Sequence, residues 1–239
     1  MQTPLGLQLT NAAAAVCRVF GLNAQRVSTG YGTAFAVREG NYVITANHVV
    51  EENDICMVGG SGPPAWHCSA TVVSRSKEHD VAVVRLDTPA PSWLRLAPRT
   101  PLAESEPLIC WEDSAQDGGP AIEPGTFKLS ELAVIPLGTL VVKSLGGRMR
   151  LALSGRFRQG MSGGPVFAPM SDEVVGIVCA MPQYDPFEVV AAWTDQGDFG
   201  AVLRRSGSDV ESFLLAQLKA GVGIAVPASD VLNLLNAIP

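Results

Sequence analysis

One serine of the chain lies in a turn whose composition suits acyl transfer. Residues 159–165, QGMSGGP, hold Ser162 among three glycines just before an apolar run. Acyl transfer needs backbone N–H groups directed at the oxygen that becomes an oxyanion, and residues without side chains let a substrate approach closely. The amides of Gly160 and Ser162 are the natural donors here. A plain glycine turn with a surface serine has the same composition, so the segment alone leaves both interpretations open.

A base must accompany this serine, because a hydroxyl is a poor nucleophile near neutral pH until a neighbour takes its proton. The chain has three histidines. His48 follows the apolar run Tyr42–Thr45 closely, where a strand end would hold the imidazole at the rim of a barrel. No comparably regular apolar run flanks His67 or His79, and a lone histidine more often has a structural role. The sequence therefore favours His48 as the base.

A catalytic imidazole also needs a buried acceptor that fixes its tautomer and stabilises its cation. Asp80 opens the apolar run Val81–Leu86, where an isolated carboxylate is costly without a partner. An aspartate that merely ends a turn would look the same. Taken together, His48, Asp80 and Ser162 predict a catalytic triad.

The local sequences around these residues resemble the trypsin-like serine proteases. Residues 45–48 (TANH) resemble that family's Thr-Ala-x-His, residues 79–86 its Asp-Leu-Ala-Leu-Leu-x-Leu strand, and residues 160–165 its Gly-Asp-Ser-Gly-Gly-Pro loop. The order histidine, aspartate, serine is also the family's. The resemblance implies an all-β fold of two six-stranded Greek-key barrels with the triad in the cleft between them. It also implies a serine endopeptidase that works through an acyl-enzyme without a cofactor, with Gly160 and Ser162 forming the oxyanion hole.

Within this family the chain is most similar to the HtrA (Deg) proteases, from residues 32–35 through to residues 223–227, and it is expected to carry no PDZ domain. The similarity weakens over residues 114–147 and is absent over 183–220. Met161 stands where digestive and clotting proteases have an aspartate that pairs with a newly cut N-terminus, so that activation route is closed. The paired cysteines of the secreted members are absent as well.

The resemblance also assigns the pocket for the side chain next to the cut bond. Its predicted walls are Arg156, Phe157, Gln159, Cys179, Ala180 and Met181. No carboxylate lies within residues 151–162 or 174–181, so a Lys or Arg side chain would lose its hydration without meeting a counter-charge. Met181 stands where a glycine often leaves room, and Phe157 narrows the space further. A small or medium aliphatic side chain is therefore expected first, and an acidic one second if Arg156 points inward.

The elements that must position these residues are short β-branched runs separated by Gly, Pro, Asn and Asp, as in all-β barrels or sandwiches. Residues 98–103 carry two prolines and no strand pattern, and they predict a linker between a first barrel at about 10–97 and a second at 104–239. Helical spacing of apolar residues predicts a helix at 209–219, inside an insertion at 183–220, and a C-terminal helix at 229–237. Chain length favours one domain over 1–239.

The composition limits the classes of partner that the protein is expected to bind. The formal net charge is −6 and no Lys/Arg cluster occurs, so neither nucleic acid nor an anionic membrane is expected as a partner. The predicted partners are a protein or peptide substrate and, through the insertion at 183–220, a regulatory protein. His67, Cys68 and His79 are legitimate zinc ligands, but their spacing matches no zinc motif, and no metal is predicted.

The cysteines and the N-terminal residues indicate the cellular compartment in which the protein is expected to occur. Five cysteines lie far apart and mostly in apolar surroundings, as suits buried thiols under reducing conditions. Residues 1–20 lack the long apolar region of a signal peptide, and no apolar run is long enough to span a bilayer. The sequence therefore predicts a cytoplasmic protein.

Two other functions fit parts of the pattern. A protease-like module could recognise peptides in its cleft while its oxyanion loop rests in a misformed, latent state, although a complete triad argues against this. An esterase with the same chemistry is a further alternative, but the chain lacks the strand-to-helix Gly-x-Ser-x-Gly elbow of the α/β-hydrolases.

Overall fold

A computed structural model describes residues 4–51, 53–60, 65–99, 106–113, 129–143, 147–155, 157–179 and 221–238. Most of the predicted linker at 98–103 lies outside these residues, as do the predicted insertion at 183–220 and its helix at 209–219. The described residues form two closed antiparallel barrels of six strands each, which confirms the fold class expected from the sequence.

The first barrel closes in the order β1-β2-β3-β6-β5-β4. Its strands are β1 Val16–Leu22, β2 Ser28–Val37, β3 Tyr42–Thr45, β4 Ile55–Gly60, β5 Trp66–Ser76 and β6 Val81–Leu86. Small side chains, among them Ala34, Val43 and Val58, fill its interior. Barrel closure leaves no unpaired strand edge, because β4 pairs with β1.

The second barrel closes in the order β10-β11-β12-β9-β8-β7. Its strands are β7 Leu108–Asp113, β8 Leu129–Val141, β9 Met149–Ser154, β10 Pro165–Ala168, β11 Glu173–Val178 and β12 Val222–Pro227. Larger aliphatic side chains such as Leu108, Leu153 and Val166 fill this interior. The strand β10 begins three residues after Ser162, so the serine loop enters this barrel directly.

Three helices accompany the described strands: α1 Pro4–Ala15, α2 Asn47–Val50 and α3 Ala228–Asn236. Helix α3 confirms the C-terminal helix predicted at 229–237, with a start one residue earlier. Helix α1 and strand β1 were not predicted. The alanine-rich end of α1 carries little periodic signal, and β1 has Arg18 and Gly21 where an apolar strand pattern would continue.

A third apolar cluster holds the two barrels together. Along β2, Ala34 and Ala36 face the barrel interior, whereas Phe35 and Val37 belong to the inter-barrel cluster, as the alternation of a strand requires. Phe167 of the second barrel is fully buried in that cluster, with its ring centroid 5.6 Å from that of Trp111. Both helices α1 and α3 add side chains to it.

The chain crosses between the barrels in an extended segment, residues 94–97, that bonds to both. The Leu94 amide donates to the Ala36 carbonyl of β2 over 2.8 Å. On the other side, the Ala97 amide donates to the Val174 carbonyl over 2.8 Å, and the Val174 amide donates to the Arg95 carbonyl over 2.7 Å. Backbone bonds therefore tie the crossing segment to β2 and β11 at once.

All five cysteines lie in described parts of the chain and are free thiols, and all but Cys68 are buried. Burial raises the pKa of Cys56 to about 12 and raises that of Cys17 and Cys110 further. In the described part of the chain, no helix has the length and apolar character needed to cross a membrane.

The inter-barrel cluster generates a stability prediction. Replacing Phe167 by alanine should lower the free energy of unfolding by about 3–5 kcal/mol, because it leaves a cavity at the junction. Ile135 is 60% exposed, and its replacement by alanine should cost less than about 1 kcal/mol. Urea unfolding of both variants measures this difference, and equal losses would contradict the assignment of the cluster.

Candidate active site

His48 is presented by a short helix that begins where β3 ends. Thr45, the last residue of β3, is fully buried and donates its hydroxyl to the Thr33 carbonyl over 2.8 Å. The Asn47 amide donates to the backbone carbonyl of Asp80 over 3.1 Å, which fixes the start of α2 against β6. The His48 side chain keeps 26% of its surface exposed. The backbone that carries the imidazole is thus fixed, and part of the side chain remains accessible from the solvent.

Asp80 ends the tight turn between β5 and β6, which is closed by the Asp80 amide donating to the Lys77 carbonyl over 3.3 Å. Its φ of 58° is left-handed, a conformation that aspartate tolerates better than most residues. This backbone conformation accompanies a carboxylate turned toward His48. Asp80 itself is only 8% exposed.

The carboxylate of Asp80 makes two contacts with His48, one with its ring and one with its backbone. One oxygen, Oδ2, lies 2.8 Å from His48 Nδ1, and the other accepts the His48 backbone N–H over 2.9 Å. Burial raises the pKa of Asp80, but the hydrogen bonds and charge of His48 outweigh it and leave the pKa below its usual value. An ionised carboxylate only accepts hydrogen bonds, so Nδ1 carries the proton and Nε2 presents a lone pair. The pair therefore has the tautomer that a general base requires.

Cys179 contacts this carboxylate as well, although the sequence predicted it only as a pocket residue. Its thiol donates to Asp80 Oδ2 over 2.8 Å from the end of β11. Burial and the neighbouring carboxylate raise the pKa of Cys179 well above its usual value, so the thiol stays protonated. The strand pattern of 174–179 gave no signal for this contact, because it depends on how β11 meets the first barrel.

The serine loop is held by both barrels. From the first barrel, Thr33 donates its amide to the Ser162 carbonyl over 2.9 Å and its hydroxyl to the Gly160 carbonyl over 2.6 Å. From the second, the Val178 carbonyl accepts the Gly163 amide over 2.7 Å. Ser162 is buried, with 4% of its surface exposed. The loop conformation is therefore fixed by contacts that lie on either side of the cleft.

Two glycines of this loop are needed for their backbone. Gly160 and Gly163 have left-handed φ values of 92° and 87°. A Cβ at Gly163 would also lie 2.6 Å from the amide nitrogen of Ala46, two residues before His48. The serine loop and the segment that carries His48 are therefore packed without room for a side chain between them. This brings the predicted nucleophile, base and acid into one neighbourhood.

The predicted pocket is described only in part, because Arg156, Ala180 and Met181 lie outside the described residues. Gln159 is exposed to solvent. Phe157 packs its ring onto Gly223 of β12, where a Cβ would overlap the ring. The aromatic ring thus fills the space over Gly223 on β12.

The remaining candidate metal ligands do not converge. His67 and Cys68 are neighbours in β5, so their side chains leave opposite faces of the strand. His79 lies elsewhere, with Nδ1 3.0 Å from the Ser76 hydroxyl and Nε2 3.9 Å from a carboxylate oxygen of Asp230. Within the described residues, no group of three or more His, Cys, Asp or Glu side chains is arranged to hold a metal ion.

Comparison with known proteins gives one family match. A family model described as a trypsin-like peptidase domain matches residues 32–177, which include His48, Asp80 and Ser162. No curated protein sequence matches this chain.

Solved structures of several proteases share the fold. The active form of the Rv3671c protease from M. tuberculosis has a TM-score of 0.64 and 17% identity, over 96% of this chain and 82% of that chain. The serine endoprotease from Yersinia pestis has a TM-score of 0.63 and 14% identity, over 99% and 67%. An HtrA-type protease, an AlgW variant with a tripeptide, has a TM-score of 0.68 and 16% identity, over 99% and 64%. At these identities the likeness shows a common two-barrel fold.

The thiol contact to Asp80 generates a prediction on stability. Replacing Cys179 by alanine should lower the free energy of unfolding at neutral pH by about 1–3 kcal/mol, because a buried acceptor loses a donor. Replacing it by serine keeps a donor and should cost less than about 1 kcal/mol. Urea unfolding of the two variants measures the difference.

The pH dependence of that difference tests its cause. The pKa of Asp80 is lowered in the folded protein, so its contribution is present above the ordinary carboxyl pKa and is lost as the pH falls through the folded-state value. The gap between the alanine and serine variants should therefore narrow progressively below about pH 4. A gap that is independent of pH would show that the contact acts through packing alone.

Proposed function

We propose that this chain, which belongs to the trypsin-like peptidase domain family, is a serine endopeptidase with Ser162 as nucleophile and His48 as general base. Asp80 orients the base and stabilises its cation. The single observation that carries the proposal is the double contact between Asp80 and His48, with Oδ2 2.8 Å from Nδ1. A structural histidine on a turn would not need its ring and its backbone fixed by one buried carboxylate.

In this mechanism His48 Nε2 takes the proton of the Ser162 hydroxyl as the oxygen attacks a peptide carbonyl carbon. The negative charge that develops on the carbonyl oxygen is held by the amides of Gly160 and Ser162. The protonated His48 then gives its proton to the leaving amine, and an acyl-enzyme remains. Water, deprotonated by His48, hydrolyses the ester and restores the serine.

The loop contacts support this assignment of the oxyanion hole. The Gly164 amide donates to the Met161 carbonyl over 3.0 Å, and this bond restrains the Met161–Ser162 peptide, which carries the Ser162 N–H. The latent alternative is a peptide-binding module with a misformed loop, and turning the Ser162 N–H away from the cleft would require that bond to break. The inferred substrates are proteins or peptides, as the family's chemistry implies.

Replacing Ser162 by alanine should lower the kcat for peptide hydrolysis by at least about a thousandfold, and the same holds for His48→Ala. Wild-type protein should react with a fluorophosphonate probe, and both variants should fail to react, because the probe needs an activated hydroxyl. Ser69→Ala, at an exposed serine of β5, is the matched control and should label as wild type does. Labelling that survives in Ser162→Ala would refute the nucleophile, and a wild type without labelling would favour the latent module.

Phe157 generates a prediction on specificity. With its ring on Gly223, the pocket should accept a small or medium aliphatic side chain, and cleavage after Lys or Arg should be minor. Phe157→Ala should raise kcat/KM for substrates with a leucine or phenylalanine at that position by about tenfold or more. Profiling against a peptide library measures this.

The matched control adds a methyl group back. In the Phe157→Ala background, Gly223→Ala has room for its side chain and should reduce the gain for the largest substrates. In the wild-type background the same substitution collides with the Phe157 ring and should destabilise the protein. An unchanged size preference in Phe157→Ala would place the pocket elsewhere.

A further inference from the structure

A buried arginine lies close to the turn that carries Asp80. Arg150 is on β9 of the second barrel and is 2% exposed, and among the lysines and arginines of the described residues it alone is buried. Removing a guanidinium from water costs free energy unless anions and acceptors replace the water. The identity of those groups therefore indicates what the arginine does.

Two carbonyl groups accept hydrogen bonds from Arg150. Its Nη2 donates to the Glu78 carbonyl and its Nη1 to the Met149 carbonyl, each over 3.2 Å. Glu78 is in the first barrel, inside the turn that Lys77 and Asp80 close. Through Arg150, the second barrel thus forms a hydrogen bond with the turn in which Asp80 takes its left-handed conformation.

The charges around Arg150 include the carboxylate of the His48–Asp80 pair. Burial lowers the pKa of Arg150, and the nearby Cys179, Asp230 and Asp80 oppose that lowering. Asp230 is in the first turn of α3, and its side chain is 25% exposed, so it is screened more than Asp80. His48 and Cys179 donate to the Asp80 carboxylate directly, whereas Arg150 acts through the Glu78 carbonyl and through its charge.

Other charged groups on the surrounding elements lie nearer to solvent. His79 faces Asp230 over 3.9 Å, and Arg148 pairs with the Glu78 carboxylate with both side chains about half exposed. The Arg148 guanidinium is a second cation close to Arg150 in sequence, but water screens it. The two arginines therefore differ in burial while sharing their charge and one partner residue.

We propose that Arg150 is a positioning residue for His48 and Asp80: it fixes the turn of residues 77–80 from the second barrel and balances the charge of the Asp80 carboxylate. This inference rests on the proposed function, because the pair that it positions is the proposed base and its acid. No contact between Arg150 and a substrate is required.

A measurable consequence follows for the protonation of His48. A fixed cation near an imidazole disfavours the imidazolium, and it also weakens the pull of the carboxylate on that imidazolium. Removing the charge of Arg150 should therefore move the acidic midpoint of kcat/KM to higher pH, because only neutral His48 acts as a base.

The experiment compares Arg150→Met, Arg150→Lys and the control Arg148→Met. Arg150→Met should move the acidic midpoint upward by about half to one pH unit and lower kcat with KM nearly unchanged. Arg150→Lys keeps the charge and loses the planar fork, so it should lower kcat without moving the midpoint. Arg148→Met should move the midpoint by less than about 0.2 pH unit, since its charge is exposed.

A second readout does not depend on activity. The imidazole signals of His48 are titrated by NMR in the Ser162→Ala background, with and without Arg150→Met. A folded Arg150→Met protein whose His48 titrates as in the parent overturns the inference, even if peptidase activity is never detected. If the protein hydrolyses no peptide but His48 shifts as expected, the proposed function fails and the positioning role stands.

The lysine variant decides the outcome if Arg150→Met does not fold, as judged by circular dichroism. A folded Arg150→Lys protein with the kcat and KM of the wild type would contradict the inference. A several-fold loss in kcat alone would support it, because a purely structural arginine would change stability without that kinetic signature.

Discussion

The carboxylate of Asp80 is a negative charge buried at the junction of two barrels, and the organisation of the site depends on satisfying it. A buried anion without partners would take up a proton or destabilise the fold. The partners here come from separate parts of the chain: His48 from the end of β3 and Cys179 from the end of β11. His48 belongs to the same barrel as Asp80, whereas Cys179 can reach the carboxylate only when the second barrel is docked on the first, so this contact links the local chemistry to the global fold.

The serine loop is also held by contacts from both barrels, and here they satisfy backbone groups instead of a charge. Its carbonyls at Gly160 and Ser162 are taken by Thr33 of the first barrel, and its Gly163 amide is taken by Val178 of the second. Glycine at 163 is required because the first barrel approaches to within contact of that position. The conformation of the loop therefore depends on contacts with both barrels and on their correct docking.

The sequence predicted those parts of the protein in which local signals are strong. Short β-branched runs separated by turn residues predicted most of the strands, and the spacing of apolar residues in 229–237 predicted α3. His48 and Asp80 could be identified because each follows or precedes an apolar strand, so its type is conspicuous there. The two-barrel class followed from the resemblance to trypsin-like proteases rather than from periodicity.

Contacts between distant segments could not be predicted in the same way. Cys179 looks like one more apolar residue of β11, and nothing nearby in sequence indicates that it faces Asp80. Arg150 would be expected on the surface, since a charged residue in an alternating strand usually marks the solvent side. Strand β1 was missed because Arg18 and Gly21 interrupt its apolar pattern, and pairing with β2 and β4 overrides that weak local preference.

The crossing segment at residues 94–97 has a consequence for motion. Its bonds to Ala36 on one side and Val174 on the other mean that a hinge opening between the barrels must break backbone hydrogen bonds as well as expose apolar surface. These bonds oppose such an opening, and ligands should therefore be admitted by loop and side-chain movements. Groups contributed by different barrels are thus held at fixed spacing, and the entropy lost in bringing them together is lost once, during folding, and not again at each encounter with a ligand.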